Sequence, residues 1–285
     1  MNIKKRFFET EADLEAQYQF WIERTKVLPF AWKPTLSPTV FRQGASFHPK
    51  SRYFAFEGEK LVGYCSFTGS GDFVSIGYPW VLPGYEGELQ EELFQHVVEF
   101  ATSEEYEGKI LAQRFRSQWK KQIQFFESKG FEITGRSKVI GRSSEKMEAA
   151  PYWVNSNRSN QFEFEKIKPL VNSSTESNPA ELLMLEEYYD SVAFDFAYEF
   201  QYEKEICGYF GVTIRKDTGY AEILAPFISQ QWNQKFPDMI QAILLDLKDQ
   251  VHYISIGESA VPDAVSLTSL GFTFVTEDVM LMKKV

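Results

Sequence analysis

Lys60-Leu61-Val62-Gly63-Tyr64 is an apolar, extended run centred on a Gly-Tyr pair, and it follows Tyr53-Phe54-Ala55-Phe56-Glu57. The same arrangement returns later in the chain. There Glu205-Ile206-Cys207-Gly208-Tyr209 follows Glu199-Phe200-Gln201-Tyr202-Glu203. Further along, Phe125-Phe126-Glu127-Ser128-Lys129-Gly130-Phe131 is echoed by Ser266-Leu267-Thr268-Ser269-Leu270-Gly271-Phe272. The Gly-Tyr pairs lie 145 residues apart and the Gly-Phe pairs 141 apart. Two landmarks at nearly one spacing imply a duplicated domain, because unrelated sequence does not hold register over such a distance.

Length agrees with duplication. The 285 residues suit two domains of about 140, near the commonest domain size. The expected boundaries are a first domain over 1–142, a connector over 143–160 and a second domain over 161–285. A hydrophobic content of 44% with 16% aromatics supplies apolar surface for two interiors. The net charge of −10 disfavours nucleic acid and anionic membranes as partners. Cys65 and Cys207 fall at equivalent places in the repeat, inside apolar runs, and read as buried thiols of a reducing compartment. Met1-Asn2-Ile3-Lys4-Lys5-Arg6 leads into acidic sequence rather than an apolar run, and no stretch approaches the roughly 20 apolar residues of a membrane span. The expected location is the cytoplasm.

Periodicity gives the order of elements in the first half. Residues 3–8 read as a strand. Thr10 and Asp13 have the spacing of a capping box ahead of a helix that carries Leu14, Tyr18 and Trp21 on one face. Strands follow at 52–57, 60–68 and 73–82, then a helix through Leu89, Leu93, Val97 and Phe100. A strand at 109–115, a helix at 117–129 and a closing strand at 131–141 complete the half. The second half repeats this order, with strands at 162–167, 197–202, 206–215 and 220–227. A helix starts at 179, and later ones cover 237–248 and 263–270 around a strand at 252–257. A final strand spans 272–283. The order is not an alternating Rossmann pattern. It predicts an α/β (α+β) fold in which each half is a mixed, mostly antiparallel sheet flanked by helices.

This order, with Lys109-Ile110-Leu111-Ala112-Gln113 and the Gly130-Phe131 junction, resembles the GNAT superfamily of N-acetyltransferases. Members carry a Val-x-Pro ahead of a glycine-rich loop, and Val81-Leu82-Pro83 matches it. The resemblance implies two GNAT-like domains, acetyl-CoA as cosubstrate, and pyrophosphate bound where the loop feeds a helix N-terminus. Unpaired backbone N–H groups and the positive end of the dipole face the anion there. In the first half the loop reads Glu86-Gly87-Glu88-Leu89-Gln90-Glu91-Glu92. Gly87 is its one glycine, and four carboxylates crowd the place where an anion would sit.

The second half follows Leu224-Ala225-Pro226 with Gln230-Gln231-Trp232-Asn233-Gln234-Lys235. Laid on the family pattern Arg/Gln-x-x-Gly-x-Gly/Ala, Gln230 keeps the first position, while Asn233 and Lys235 replace the glycines. Asn tolerates positive φ, so part of the backbone shape is expected to survive. The loop lacks carboxylates and ends on a cation. The resemblance therefore assigns cofactor binding to Leu224, Ala225, Gln230, Gln231, Asn233 and Lys235, with Val81 and Gly87 as the first-half counterparts.

Many members place a tyrosine four residues before the Gly of Gly-Phe, where it protonates the leaving thiolate. Phe126 and Leu267 stand there, so that acid is missing from both halves. Glu222, on a central strand of the second half, is the candidate general base; Ser75 and Tyr78 hold comparable positions in the first. His48, His96 and His252 do not cluster, no metal-ligand spacing occurs, and no metal is expected. The expected activity is transfer of acetyl from acetyl-CoA to an amine of a small molecule or peptide. The alternative is a catalytically inactive GNAT-like binding or regulatory protein.

Overall fold

The computed structural model describes residues 3–33, 47–70, 72–103, 108–144, 155–168, 170, 186, 189 and 192–284. They form two compact units. The first comprises Met1–Pro29, Ser37–Arg136 and Asp278–Val285, and the second Phe30–Leu36 and Ser137–Glu277.

In the first unit, β1 (Ile3–Phe7), β2 (Arg52–Glu57), β3 (Lys60–Ser70) and β4 (Phe73–Ile76) pair antiparallel in succession. A short β5 (Trp80–Val81) also pairs with β3. β6 (Ile110–Arg116) lies parallel to β4. Three helices cover this sheet: α1 (Glu11–Thr25), α2 (Glu88–Ala101) and α3 (Lys120–Ser128). α1 opens with the capping box expected at Thr10 and Asp13. α2 buries Leu89, Leu93, Phe94, Val97 and Ala101, the spacing of one helical face. These pack with Phe54, Val62, Val74, Ile76, Leu111, Phe115, Ile123 and Phe126 in a core rich in edge-to-face aromatic pairs.

The second unit contains β8 (Asn155–Ser159), β9 (Phe196–Tyr202), β10 (Glu205–Arg215) and β11 (Tyr220–Ile228), again antiparallel in succession. β12 (Tyr253–Gly257) runs parallel to β11. α4 (Phe236–Leu247) presents Phe236, Met239, Ile240, Ile243, Leu244 and Leu247 to Phe200, Val212, Ile223 and Ile254 of the sheet, all fully buried.

The repeated landmarks acquire physical reasons. A Cβ at Gly63 would stand 2.8 Å from Val81 Cγ1 and 3.1 Å from Trp80 O, and one at Gly208 would stand 2.9 Å from Met239 Sδ. Each glycine lets a neighbouring element lie close on its strand. Gly130 and Gly271 adopt φ of 81° and 80°. Each ends its helical turn with the following Phe N–H donating five residues back, Phe131 to Phe126 O and Phe272 to Leu267 O.

Four expectations differ from the structure. The strand read over 73–82 is broken into β4 and β5 at Gly77-Tyr78-Pro79, because proline cannot donate to a ladder. The strand read over 162–167 is a 3₁₀ turn, Phe164–Lys166, and the strand lies earlier, at β8, where a connector was expected. The helix read over 263–270 shrinks to the turn Thr268–Leu270; Pro262 precedes it and Ala264 sits at φ 62°, outside the helical region. The helix expected to start at 179 falls almost wholly outside the described residues.

The fourth difference concerns the closing strands. β7 (Glu132–Ser143) sends Val139–Ser143 antiparallel along β12, inside the second unit. β13 (Thr273–Lys284) sends Asp278–Lys284 antiparallel along β6, inside the first. Alternation specifies which face of a strand is buried, not which neighbour it pairs with. The partner is set locally. Gly141 fits where a Cβ would meet Tyr253 Cε1 at 2.7 Å, and Asp278 meets the buried guanidinium of Arg116 at 2.7 Å.

Candidate functional site

A parallel pair that separates leaves backbone donors and acceptors facing a gap, and such gaps at the carboxyl ends of strands are where α/β sheets take ligands. Each unit has one.

In the second unit, β11 and β12 pair from Tyr220↔Tyr253 to Ile223↔Ile256 and then part. The cause is legible in the chain. β10 and β11 shift register between Tyr209 and Gly211, so that Phe227 opposes Tyr209 while Leu224 opposes Gly211. The extra residue is a bulge at Ala225-Pro226, and a proline is tolerated there because a bulge releases its ladder donor. Ala221 and Ile223 enter the core beneath α4. By strand alternation Glu222 and Leu224 project from the other face, where the half-buried Glu222 is the cross-strand neighbour of Thr213 and Ser255. On that face Tyr220 Oη and Ser255 Oγ share a 2.5 Å hydrogen bond.

The loop that follows is not the glycine-type cradle. Gln230–Lys235 form a 3₁₀ helix leading into α4, and none of these residues has positive φ. Trp232 N–H donates to Ser229 O and Phe236 N–H to Asn233 O, so backbone donors turn inward rather than toward an anion. Trp232 packs on Tyr202 with ring centres 4.6 Å apart. Gln230 and Gln231 are exposed and Asn233 is half-buried. The Lys235 ammonium lies 3.7 Å from Asp238 at the helix start. No acidic residue occurs from Ile228 to Pro237. Side-chain amides and one ammonium, the latter paired with Asp238, thus line the loop where the resemblance led us to expect a backbone nest.

The first unit is built differently. β4 and β6 pair from Phe73↔Ile110 to Ser75↔Ala112, and the gap begins one residue on. Gln113 fills its apex, its side-chain amide donating to Ile76 O. Gln90, on the first turn of α2, donates to Tyr78 Oη at 2.7 Å and to Pro79 O at 3.0 Å. The Tyr78 ring lies 4.8 Å from Trp80, 5.3 Å from Phe125 and 6.5 Å from Phe115. Burial pushes its phenol up, against the opposing effect of the Gln90 hydrogen bond. Gly84 and Gly87 have φ of 88° and 84°, a loop shape able to aim N–H groups at an anion. The Gly84 N–H instead donates to the Glu86 carboxylate at 2.6 Å. The Glu86 and Gly84 backbone donors hold that carboxyl below the usual range, with help from the charges of Arg24 and Lys121.

Pairing also aligns the two gaps. Gly63 opposes Val81 and Gly208 opposes Ile228, so Pro226 corresponds to Pro79, whereas the motif reading had set it against Pro83. Ser75 then corresponds to Glu222, as expected, and Tyr78 and Gln113 correspond to Ala225 and Ile256. Phe126 and Leu267, at the positions of the absent tyrosine, are both core residues.

A cleft of about 570 Å³ opens at the carboxyl end of β12, lined by Lys138, Ile140, Glu258, Pro262, Leu267 and Phe274 among others. It exists because the segment equivalent to α3 is unwound around Pro262 and Ala264. Lys138 and Glu258 pair across it at 3.5 Å. None of the residues expected at the site lines it. The Pro262-Asp263 dipeptide was the signal available in the sequence. Among the described residues, no group of three His, Cys, Asp or Glu is placed to hold a metal ion. No helix among them is long and apolar enough to cross a membrane.

The sequence matches no protein-family model and no curated protein sequence. Solved structures do match. A tandem GNAT protein from the clavulanic acid biosynthesis pathway, solved without AcCoA, has a TM-score of 0.66 at 12% identity, covering 99% of this chain and 98% of its own. A GCN5-related N-acetyltransferase from Sphaerobacter thermophilus has a TM-score of 0.57 at 12% identity, covering 99% and 95%. Another, from Anabaena variabilis, has a TM-score of 0.53 at 12% identity, covering 99% and 73%. With its parting strands, its bulge at a proline and its loop before a helix, the chain has the fold of the tandem GCN5-related N-acetyltransferases.

Proposed function

We propose that this chain is an N-acetyltransferase that carries an acetyl group from acetyl-CoA to an amine of a small molecule or peptide, with the chemistry in the second unit. The observation that supports this reading is the Pro226 bulge, which parts β11 from β12 beside a half-buried carboxylate, Glu222, and ahead of a loop free of acidic residues. The protein supplies position and charge. Lys235, Gln230, Gln231 and Asn233 hold the polyphosphate. Leu224 and Ala225 present the strand edge to the extended part of the thioester, whose carbonyl oxygen is polarised by backbone N–H groups in the gap.

The amine nitrogen attacks the thioester carbon, a C–N bond forms and the C–S bond breaks. Glu222, directly or through water, takes the proton that the acceptor's ammonium releases to become the neutral, attacking amine, and the nitrogen loses its second proton once the C–N bond has formed. Leu267 cannot donate, so the leaving thiolate is protonated from water or by the proton just released. The free, buried thiols Cys65 and Cys207 are inert spectators. Burial pushes the Cys207 thiol up to about 11 and that of Cys65 further. Such thiols suit a reducing compartment, and the proposal places the reaction in the cytoplasm.

The test is calorimetric titration of acetyl-CoA into the protein and into Lys235→Glu. The expected result is saturable binding, weakened about tenfold by reversing the charge at the loop. No binding at millimolar acetyl-CoA would sink the proposal and leave a binding protein for another ligand.

A further inference from the structure

The first unit's gap is filled by groups that imitate the hydrogen-bonding pattern of an extended, amide-bearing, polyphosphate-ended ligand. Two primary amides, from Gln113 and Gln90, donate to the strand carbonyls Ile76 O and Pro79 O. One carboxylate, from Glu86, accepts from the loop N–H of Gly84. Between them the Tyr78 ring is wedged among Trp80, Phe115 and Phe125, its hydroxyl held by Gln90. Tyr78, Gln90 and Gln113 are half-buried along the gap and Glu86 lies exposed at its loop end, so a ligand lying along the parted strands would have to displace these side chains. In the second unit the positions of Tyr78 and Gln113 carry Ala225 and Ile256, which have neither the bulk nor the amide.

We propose that Tyr78, Gln90, Gln113 and Glu86 form a built-in plug that occupies the first unit's cofactor groove, so that this unit is closed to coenzyme A while the fold of the groove is kept. Gln113, Gln90 and Glu86 each satisfy a backbone group that the parted strands or the loop would otherwise leave open, and the Tyr78 hydroxyl holds Gln90 in place, which stabilises the closed form. The proposal rests on the acetyl-CoA reading of the second unit only for its contrast, because the plug is tested on the first unit alone.

The experiment is hydrogen–deuterium exchange with and without coenzyme A, on the full chain and on two variants. Gln90→Ala/Gln113→Ala removes both amides and leaves the aromatic packing. Tyr78→Ala/Glu86→Gln removes the wedge and the carboxylate. In the unaltered chain, residues 76–90 are expected to exchange at the same rate with and without coenzyme A. At least one variant, folded by its unfolding transition, is expected to show about tenfold slower exchange over 76–90 at coenzyme A tenfold above its Kd. Protection of 76–90 in the unaltered chain overturns the proposal, as does its absence in both folded variants. Should Tyr78→Ala/Glu86→Gln fail to fold, the glutamine variant decides alone. If residues 224–236 are unprotected while a variant gains protection at 76–90, the acetyl-CoA reading of the second unit falls and the plug stands.

Discussion

Glu222 and Asp13 are two carboxylates with contrasting parts. In the proposed mechanism Glu222, beside the gap, is the base, and Leu267 offers no matching acid. Glu222→Gln is expected to lower kcat about 100-fold or more while leaving acetyl-CoA binding intact, the usual cost of removing a positioned base. Asp13 is a structural case. Burial pushes its carboxyl up, but Arg6, at 2.6 Å, and the N–H groups of Glu9 and Thr10 outweigh that and hold it below the usual range. A depressed carboxylate contributes stability above its unfolded pKa, and that contribution is lost as pH falls through the folded value, here below about pH 4. Asp13→Asn should cost about 1.5–3 kcal/mol at neutral pH and flatten the acid limb of a urea-stability profile. An unchanged acid limb would mean that the pair is exposed to water in solution.

At the scale of elements, the strand-helix contacts are set by glycines. Gly63→Ala places a Cβ 2.8 Å from Val81 Cγ1 and 3.1 Å from a backbone oxygen that has no room to move. We expect a loss of about 1–3 kcal/mol in denaturant unfolding. Gly208→Ala should cost less, because its nearest neighbour is the flexible Met239 side chain. These glycines were visible in the sequence as a repeat, before their cause was known. So were the edges of most strands and both long helices before β6 and β12, since alternation and 3.6-residue periodicity are local properties. The short segments around Pro79, Pro262 and Phe164 were misread. In each, a proline or a three-residue turn interrupts a pattern that was otherwise apolar. Of the candidate site, Glu222 and the loop 230–235 were proposed from position, but the 3₁₀ course of that loop was not legible. Nor was the plug, because Gln90 and Gln113 lie 23 residues apart and act on carbonyls that only pairing exposes.

For the whole molecule, the consequential fact is that β6 is covered by Asp278–Lys284. Val279 and Leu281 of that segment are fully buried, and Asp278 satisfies the buried Arg116 guanidinium. Ending the chain after residue 277 should therefore unfold the first unit, by removing the hydrogen bonds along β6, the two apolar side chains and the Asp278 carboxylate that pairs with Arg116. Exchange of the amides in β4 and β6 would report it. If those amides stay protected, the segment is a dispensable cover. The duplicated sequence concealed this exchange, since each closing strand carries the same alternation and either edge would accept it on pattern alone.

During synthesis the order of events is fixed by the ribosome. Arg116 leaves the exit tunnel long before Asp278 is made, and at about 5–20 residues per second the bare edge of β6 waits roughly ten to thirty seconds for its partner. An uncovered strand edge accepts any strand that offers the same alternation. On a crowded polysome the nearest such strand belongs to the neighbouring nascent chain. Translation speed over the second half, and not only the folded sequence, therefore governs whether one chain closes on itself or two become entangled.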